Sequence, residues 1–228
     1  MDNFVVFLEA VALRRWGQTT EEGASVSPSD SLPAPLDEEA DKRDQVAVWN
    51  TLLELYLTLS EKEAEGSPLR AKALALLKSD LPYDPTHALI LCSTRNFTPG
   101  LVLLWEKLGM YEDVLRFWIA QETEAHVPGA SAQVLYALDK YGPENHQLYP
   151  LVLRFLTSSA ELLSRHSQEL EGMLETIERE KIMPPLSVIQ ALSRNNVTSV
   201  GLVKQWLLTR IRESKDEIQA VSHVRLPV

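Results

Sequence analysis

The sequence predicts an all-α protein, an antiparallel helical-repeat solenoid, on three observations. Apolar residues recur at helical spacing through segments about 11 to 18 residues long. Helix-starting and helix-stopping residues punctuate these segments, and no alternating run lies between hairpin turns. Segment centres fall roughly 13 to 23 residues apart, so a helix pair comes about every 30 to 40 residues, the period of repeat arrays rather than of a four-helix bundle. Each pair in such an array leaves an apolar face that only a neighbour covers, so its ends need caps or partners.

The elements follow in order. Phe4, Val5, Leu8, Val11, Ala12 and Trp16 predict an amphipathic helix over Asp2 to Trp16, assigned as residues 1–16. Residues 17–41 read as a flexible loop or linker. They hold Pro28, Pro33, Pro35 and seven acids with no Lys or Arg, and almost nothing large and apolar to bury. Ser27-Pro28 there reads as part of a spacer rather than as a phosphorylation site.

Residues 42–228 are assigned to the solenoid. Leu52, Leu55, Tyr56 and Leu59 form its first stripe, and Leu74 with Leu77 its second. Asp84-Pro85 has the form of an N-cap with proline at the first helical position, ahead of Ala88, Leu89, Leu91 and Cys92. Thr98-Pro99 repeats that device before Leu101, Leu104, Trp105 and Leu108, and Gly109 is the expected left-handed C-cap. Then come Val114, Leu115 and Trp118, a helix from Ala130 to Tyr141 ending at Gly142-Pro143, a stretch from Leu148 to Leu156, and Leu170, Leu174 and Ile177. Pro184-Pro185 opens a helix bearing Leu186, Ile189 and Leu192, and Val200, Val203, Leu207 and Ile211 close the series.

Composition narrows the function. The chain has 228 residues, 45% hydrophobic and 24% charged, within the globular range. Its net charge of -10 falls largely in the 17–41 segment, and an acidic surface disfavours phosphate backbones and anionic headgroups. No apolar run reaches the length of a membrane span, and the opening FVVFLEAVAL lacks the flanks of a signal peptide. The single cysteine, Cys92, excludes an internal disulfide or a multi-thiolate zinc site and makes the cytosol the default compartment.

Catalytic patterns are equally thin. His87, His126, His146, His166 and His223 show no paired metal-ligand spacing, so no metal is expected. Cys92 sits among leucines and reads as a small buried hydrophobe rather than as a thiol activated by His87. The pairs Glu169/Glu171 and Glu178/Glu180 read as solvated helix faces. Trp49, Tyr56, Trp105, Tyr111, Phe117, Trp118 and Trp206 read as packing between repeats, because few Lys or Arg surround them. There is no glycine-rich phosphate loop, and no catalytic residue or cofactor is assigned.

Five blocks carry a resemblance. VWNTLLELYL (Val48 to Leu57), ALALLKS (Ala73 to Ser79), YDPTHALILC (Tyr83 to Cys92), NFTPGLVLLWEKLGMYEDVLRF (Asn96 to Phe117) and IMPPLSVIQALSRN (Ile182 to Asn195) closely resemble the Vps-eleven (Pep-five) family. The resemblance runs over most of Trp49 to Ile218 and implies a late stretch of a clathrin-heavy-chain-like α-solenoid, without the family's propeller or RING finger. It implies a non-enzymatic scaffold of the HOPS and CORVET endolysosomal tethering complexes, peripheral on late endosome and vacuole or lysosome membranes. The implied partners are other HOPS and CORVET subunits, with no nucleic acid and no membrane insertion. Recognition of peptide motifs or lipid by the solenoid's concave face is the alternative. Within the scaffold reading, Trp206, Ile211, Ile218 and Val221, near the C-terminal end of the sequence, are the expected protein-interface residues.

Overall fold

The structure, a computed structural model, describes residues 2–20, 37–61, 67–193 and 208. The described residues form eleven helices and no strand. They fall in two compact units, Met1–Met110 and Tyr111–Val228.

The first unit holds α1 (Asp2–Trp16), α2 (Glu38–Ser60), α3 (Pro68–Lys78), α4 (Pro85–Thr94) and α5 (Thr98–Lys107). Helix α2 begins at Glu38, four residues before the expected start of the repeat region. The local chemistry explains this: the Asp37 carboxylate accepts from the amides of Glu39 and Ala40, and Glu38, Glu39 and Asp41 place negative charge at the positive end of the helix dipole. The acids that suggested a linker are thus partly a helix start.

Ser67 caps α3 ahead of Pro68, and Asp84 caps α4 ahead of Pro85 as the sequence predicts. The Thr98-Pro99 expectation is corrected by one residue. Helix α5 has Phe97 at its N-cap, with no side-chain cap bond. Phe97 serves both helices: its amide donates to Cys92 O at 2.9 Å, closing α4, and its carbonyl accepts from Leu101, opening α5. Asn96 takes the left-handed conformation that this closure needs (φ 50°). Gly109 does the same at the end of α5 (φ 70°), with Met110 N donating to Trp105 O at 2.8 Å.

The core of this unit is centred on α2. Trp49, Leu52, Leu53, Tyr56 and Leu57 are buried against Val5, Leu8 and Ala12 of α1, Ala73, Leu76 and Leu77 of α3, Ala88, Leu91 and Cys92 of α4, and Phe97 and Leu104. Each fully buried leucine contributes about 1.5–3 kcal/mol relative to exposure. Gly100 sets the approach of α5 to α3, for a Cβ there would lie 2.5 Å from the Phe97 ring and 2.8 Å from a Leu77 methyl.

The second unit holds α6 (Tyr111–Thr123), α7 (Ala130–Tyr141), α8 (Leu148–Leu156), α9 (Ala160–Arg165), α10 (Ser167–Arg179) and α11 (Pro185–Ser193). Helix α8 is its centre, touched by α6, α7, α10 and α11. Six of its nine residues are buried: Leu148, Tyr149, Val152, Leu153, Phe155 and Leu156. Pro150 is tolerated because it lies in the first turn, where no intrahelical donor is lost. The short helix α9 has no counterpart in the sequence reading, because six residues are too few to show a period.

Some expected core positions differ. Leu108 is 45% exposed beside the α5 C-cap, and Leu186 is 65% exposed. On α11 the buried pair is Val188 and Leu192, four residues apart, and Leu186 lies on the opposite side of the turn. Trp49 and Tyr56 are fully buried, but Trp105, Tyr111, Phe117 and Trp118 are only half-buried. Trp206 lies outside the described residues, as does the stripe Val200, Val203, Leu207 and Ile211.

Candidate functional site

The second unit contains a buried polar clasp. Ser131, the second residue of α7, is 2% exposed, and His166, the junction between α9 and α10, is 7% exposed. His166 Nε2 and Ser131 Oγ are 3.0 Å apart. His166 Nδ1 has no hydrogen-bond partner, and the Glu169 carboxylate stands 3.6 Å from it. Glu122, near the end of α6, completes the clasp: Oε2 accepts the Ser131 amide at 3.0 Å, and Oε1 accepts from Arg165 at 2.9 Å. Arg165 also grips Glu161, one turn earlier in α9, and hydrogen bonds to Glu122 and then Glu161 hold its guanidinium above its ordinary pKa.

Serine, histidine and glutamate in this order mimic a nucleophilic triad, but the surroundings oppose that chemistry. A nucleophile must reach substrate, whereas Ser131 and His166 are both buried. An oxyanion needs a free donor, and the Ser131 amide is already given to Glu122, whose negative charge would repel the developing oxyanion. The clasp instead joins α6, α7, α9 and α10.

Beside it lies a groove of about 810 Å³, lined by Glu122, His126, Val127, Pro128, Leu162 and Arg165 among others. Its rim is a tight loop. His126 and Gly129 both have positive φ (51° and 84°), and Val127 N donates to Gln121 O at 2.9 Å, which leaves Val127 37% exposed.

The first unit carries a second polar network, between α1 and its neighbours. Glu9 Oε1 accepts from the Tyr56 hydroxyl at 2.6 Å and from Lys72 at 2.7 Å. Asp41 accepts from the Trp16 indole at 2.9 Å and pairs with Arg15 at 2.8 Å, and Trp49 donates to Gln18 at 2.7 Å. Burial, with the Glu9 carboxylate as acceptor, drives the Tyr56 hydroxyl well above its ordinary value. Burial likewise pushes the Cys92 thiol up to about 12, so it stays protonated and unreactive as the sequence reading expects. This network was not visible in the sequence, since partners 25 to 63 residues apart leave no local pattern.

Among the described residues no group of three or more His, Cys, Asp or Glu is placed to hold a metal ion, and no helix is long and apolar enough to cross a membrane. The expected interface residues Trp206, Ile211, Ile218 and Val221 lie outside the described residues.

The helical pattern and the blocks that carry the resemblance coincide with one family model, the PEP5/VPS11 clathrin repeat, which matches residues 36–190. The chain belongs to that family. The fold class read from the sequence, all-α and helical-repeat, is that of this PEP5/VPS11 stretch. The vacuolar protein sorting-associated protein 11 homolog of Dictyostelium discoideum is 27% identical over 174 residues, covering 75% of this chain and 17% of that protein. The homologs of Mus musculus and Homo sapiens are each 25% identical over 175 residues, covering 75% of this chain and 18% of theirs. The PEP5/VPS11 repeat described here thus spans about a sixth of the length of the curated relatives it matches. No solved structure matches the chain. Within the matched residues fall α2 to α10 and both the clasp and its groove, whereas α1 lies before them.

Proposed function

We propose that this chain is a non-enzymatic scaffold segment of a multisubunit membrane-tethering complex of the endolysosomal or vacuolar system, of the HOPS and CORVET type, supporting vesicle docking, fusion and protein transport. The observation that carries this reading is the PEP5/VPS11 repeat match over residues 36–190, with relatives named for vacuolar protein sorting. The structure supports it in that the polar networks join helices to one another. Helical repeats act through exposed faces, so the partners are other subunits of the complex and the chain works on the cytosolic side, peripheral to the membrane.

Pull-down of the purified chain against each subunit of such a complex, at low and physiological salt, tests this. Binding to one or two subunits is the expected result. No binding to any, from a chain with a cooperative thermal transition, removes the scaffold reading. The groove beside Val127 favours a second reading, capture of a short peptide segment, which a change in Val127 and Leu162 methyl resonances on peptide addition would reveal.

A further inference from the structure

The seam between α1 and the rest of the first unit is built differently from the core beneath it. Helices α3 and α4 enter that core through leucines, alanines and Cys92. Toward α1 the unit presents Trp49 and Tyr56, two turns apart on α2, and Lys72 of α3. Each gives its polar tip to α1 or to the chain just after it: Trp49 to Gln18 at 2.7 Å, Tyr56 and Lys72 to Glu9 at 2.6 and 2.7 Å. Aromatic side chains with a bonded polar tip are the composition of a docking surface. The seam is also incompletely packed. A cleft of about 230 Å³ runs beside it, lined by Glu9, Leu13 and Thr20 on one side and by Trp49 and Lys72 on the other, and such a gap forfeits van der Waals contact.

Helix α1 enters the seam with Val5, Leu8 and Ala12, at i, i+3 and i+7, and with Glu9 at i+4. If α1 moves away, water can take up the indole N–H, the hydroxyl and the ammonium group, so the open wall strands no buried donor. The wall belongs to the repeat and its occupant does not, since the PEP5/VPS11 match begins at residue 36. In a repeat array a neighbouring helix covers the face that each pair leaves. Here α1 takes that place.

We propose that the α2–α3 face is a helix-docking groove which α1 fills in cis, and that its exchange partner is a helix of another subunit with the α1 pattern: apolar at i, i+3 and i+7, with a glutamate at i+4 for Tyr56 and Lys72. The proposal rests on the scaffold reading and gives one of its contacts a built-in restraint. Residues 17–37 join α1 to α2, so α1 competes at an effective concentration on the order of millimolar. The partner's apparent affinity falls with the fraction of chains whose groove is open. A second copy is a poorer occupant, because its α1 must displace an identical helix already tethered in place.

The test uses the full chain and a fluorescent peptide of residues 2–20, natural or carrying Glu9→Lys, read by anisotropy. Leu8→Asp in the chain expels its own α1 and leaves the groove intact, so it should tighten binding of the natural peptide at least about tenfold. Lys72→Glu in the chain should instead favour the Glu9→Lys peptide, whereas the unsubstituted chain favours the natural one. Absence of saturable binding to the Leu8→Asp chain, or the same peptide preference on both walls, overturns the proposal. So does loss of the thermal transition in the Leu8→Asp chain, which would make α1 an integral layer of the core. A concentration-dependent dimer of the unsubstituted chain overturns it too, by giving the groove to a second copy. Failure here with subunit binding intact leaves the scaffold reading standing, and peptide exchange without subunit binding leaves only the groove.

Discussion

Ser131 Oγ and His166 Nε2 meet at 3.0 Å inside the second unit, bridging 35 residues of chain. The bond fastens the α9–α10 junction to the first turn of α7, where Ser131 also gives its amide to Glu122. A hydrogen bond between buried groups is worth little net, but removing one partner strands the other away from water. Ser131→Ala should therefore cost about 1–3 kcal/mol. In a double-mutant cycle with His166→Leu, measured by urea unfolding, the two losses should be less than additive. Fully additive losses would show that the pair does not act as a unit.

Glu9 should behave as a hub in the first unit. Its Oε1 accepts both Tyr56 and Lys72, so Tyr56→Phe removes a charge-assisted bond worth about 1.5–3 kcal/mol. Amide exchange in α1 should rise with it, because that bond ties α1 to α2. Unchanged exchange in α1 would mean that apolar packing alone holds the helix.

Two substitutions at special backbone positions should act in opposite directions. Gly100→Ala drives a methyl into the Phe97 ring and Leu77, both buried, and should cost about 1–3 kcal/mol despite alanine's better helix propensity. Lys181 closes α10 with φ 53°, its successor Ile182 donating to Ile177 O at 3.0 Å, in the same arrangement as Asn96 and Gly109. Lys181→Gly relieves left-handed strain of about 1 kcal/mol and should raise the melting temperature by about 2–4 °C. A fall would place the strain elsewhere.

Alkali should weaken the fold. The Cys92 thiol, ordinarily near 9.0, is pushed up to about 12 by burial, and Tyr56 is raised as well. The folded chain therefore holds protons that the unfolded chain has released. Stability is undiminished below pH 9 and falls as pH rises toward 12, by up to about 1.4 kcal/mol per pH unit for each such group. Urea midpoints at pH 8, 9.5 and 10.5 check the slope. Cys92→Ala should flatten it, and Cys92 should react with Ellman's reagent only after unfolding.

Helix positions were legible because they rest on neighbours in sequence. Asp84 with Pro85 begins a helix by local hydrogen bonding and ring geometry, and Gly109 ends one for lack of a Cβ. The helix from Asp2 to Trp16 and the burial of Cys92 were read the same way. Thr98 failed as a cap because Phe97, fixed by the preceding helix, had already taken the position.

The sequence by itself determined the longer helices, the repeat class and the family, since periodicity, caps and matching blocks are written within a few turns of chain, whereas the six residues of α9 are too few to show a period. Only the tertiary structure decided which side of each helix is covered, and with that the candidate surfaces. Phe4 and Phe7 belong to the same apolar run as Val5 and Leu8, yet one pair faces water and the other the core. Ser131, His166 and Glu122 form a clasp only because folding brings together groups whose spacing along the chain carries no signal. Burial and long-range hydrogen bonding are properties of neighbours in space, and packing alone selects them.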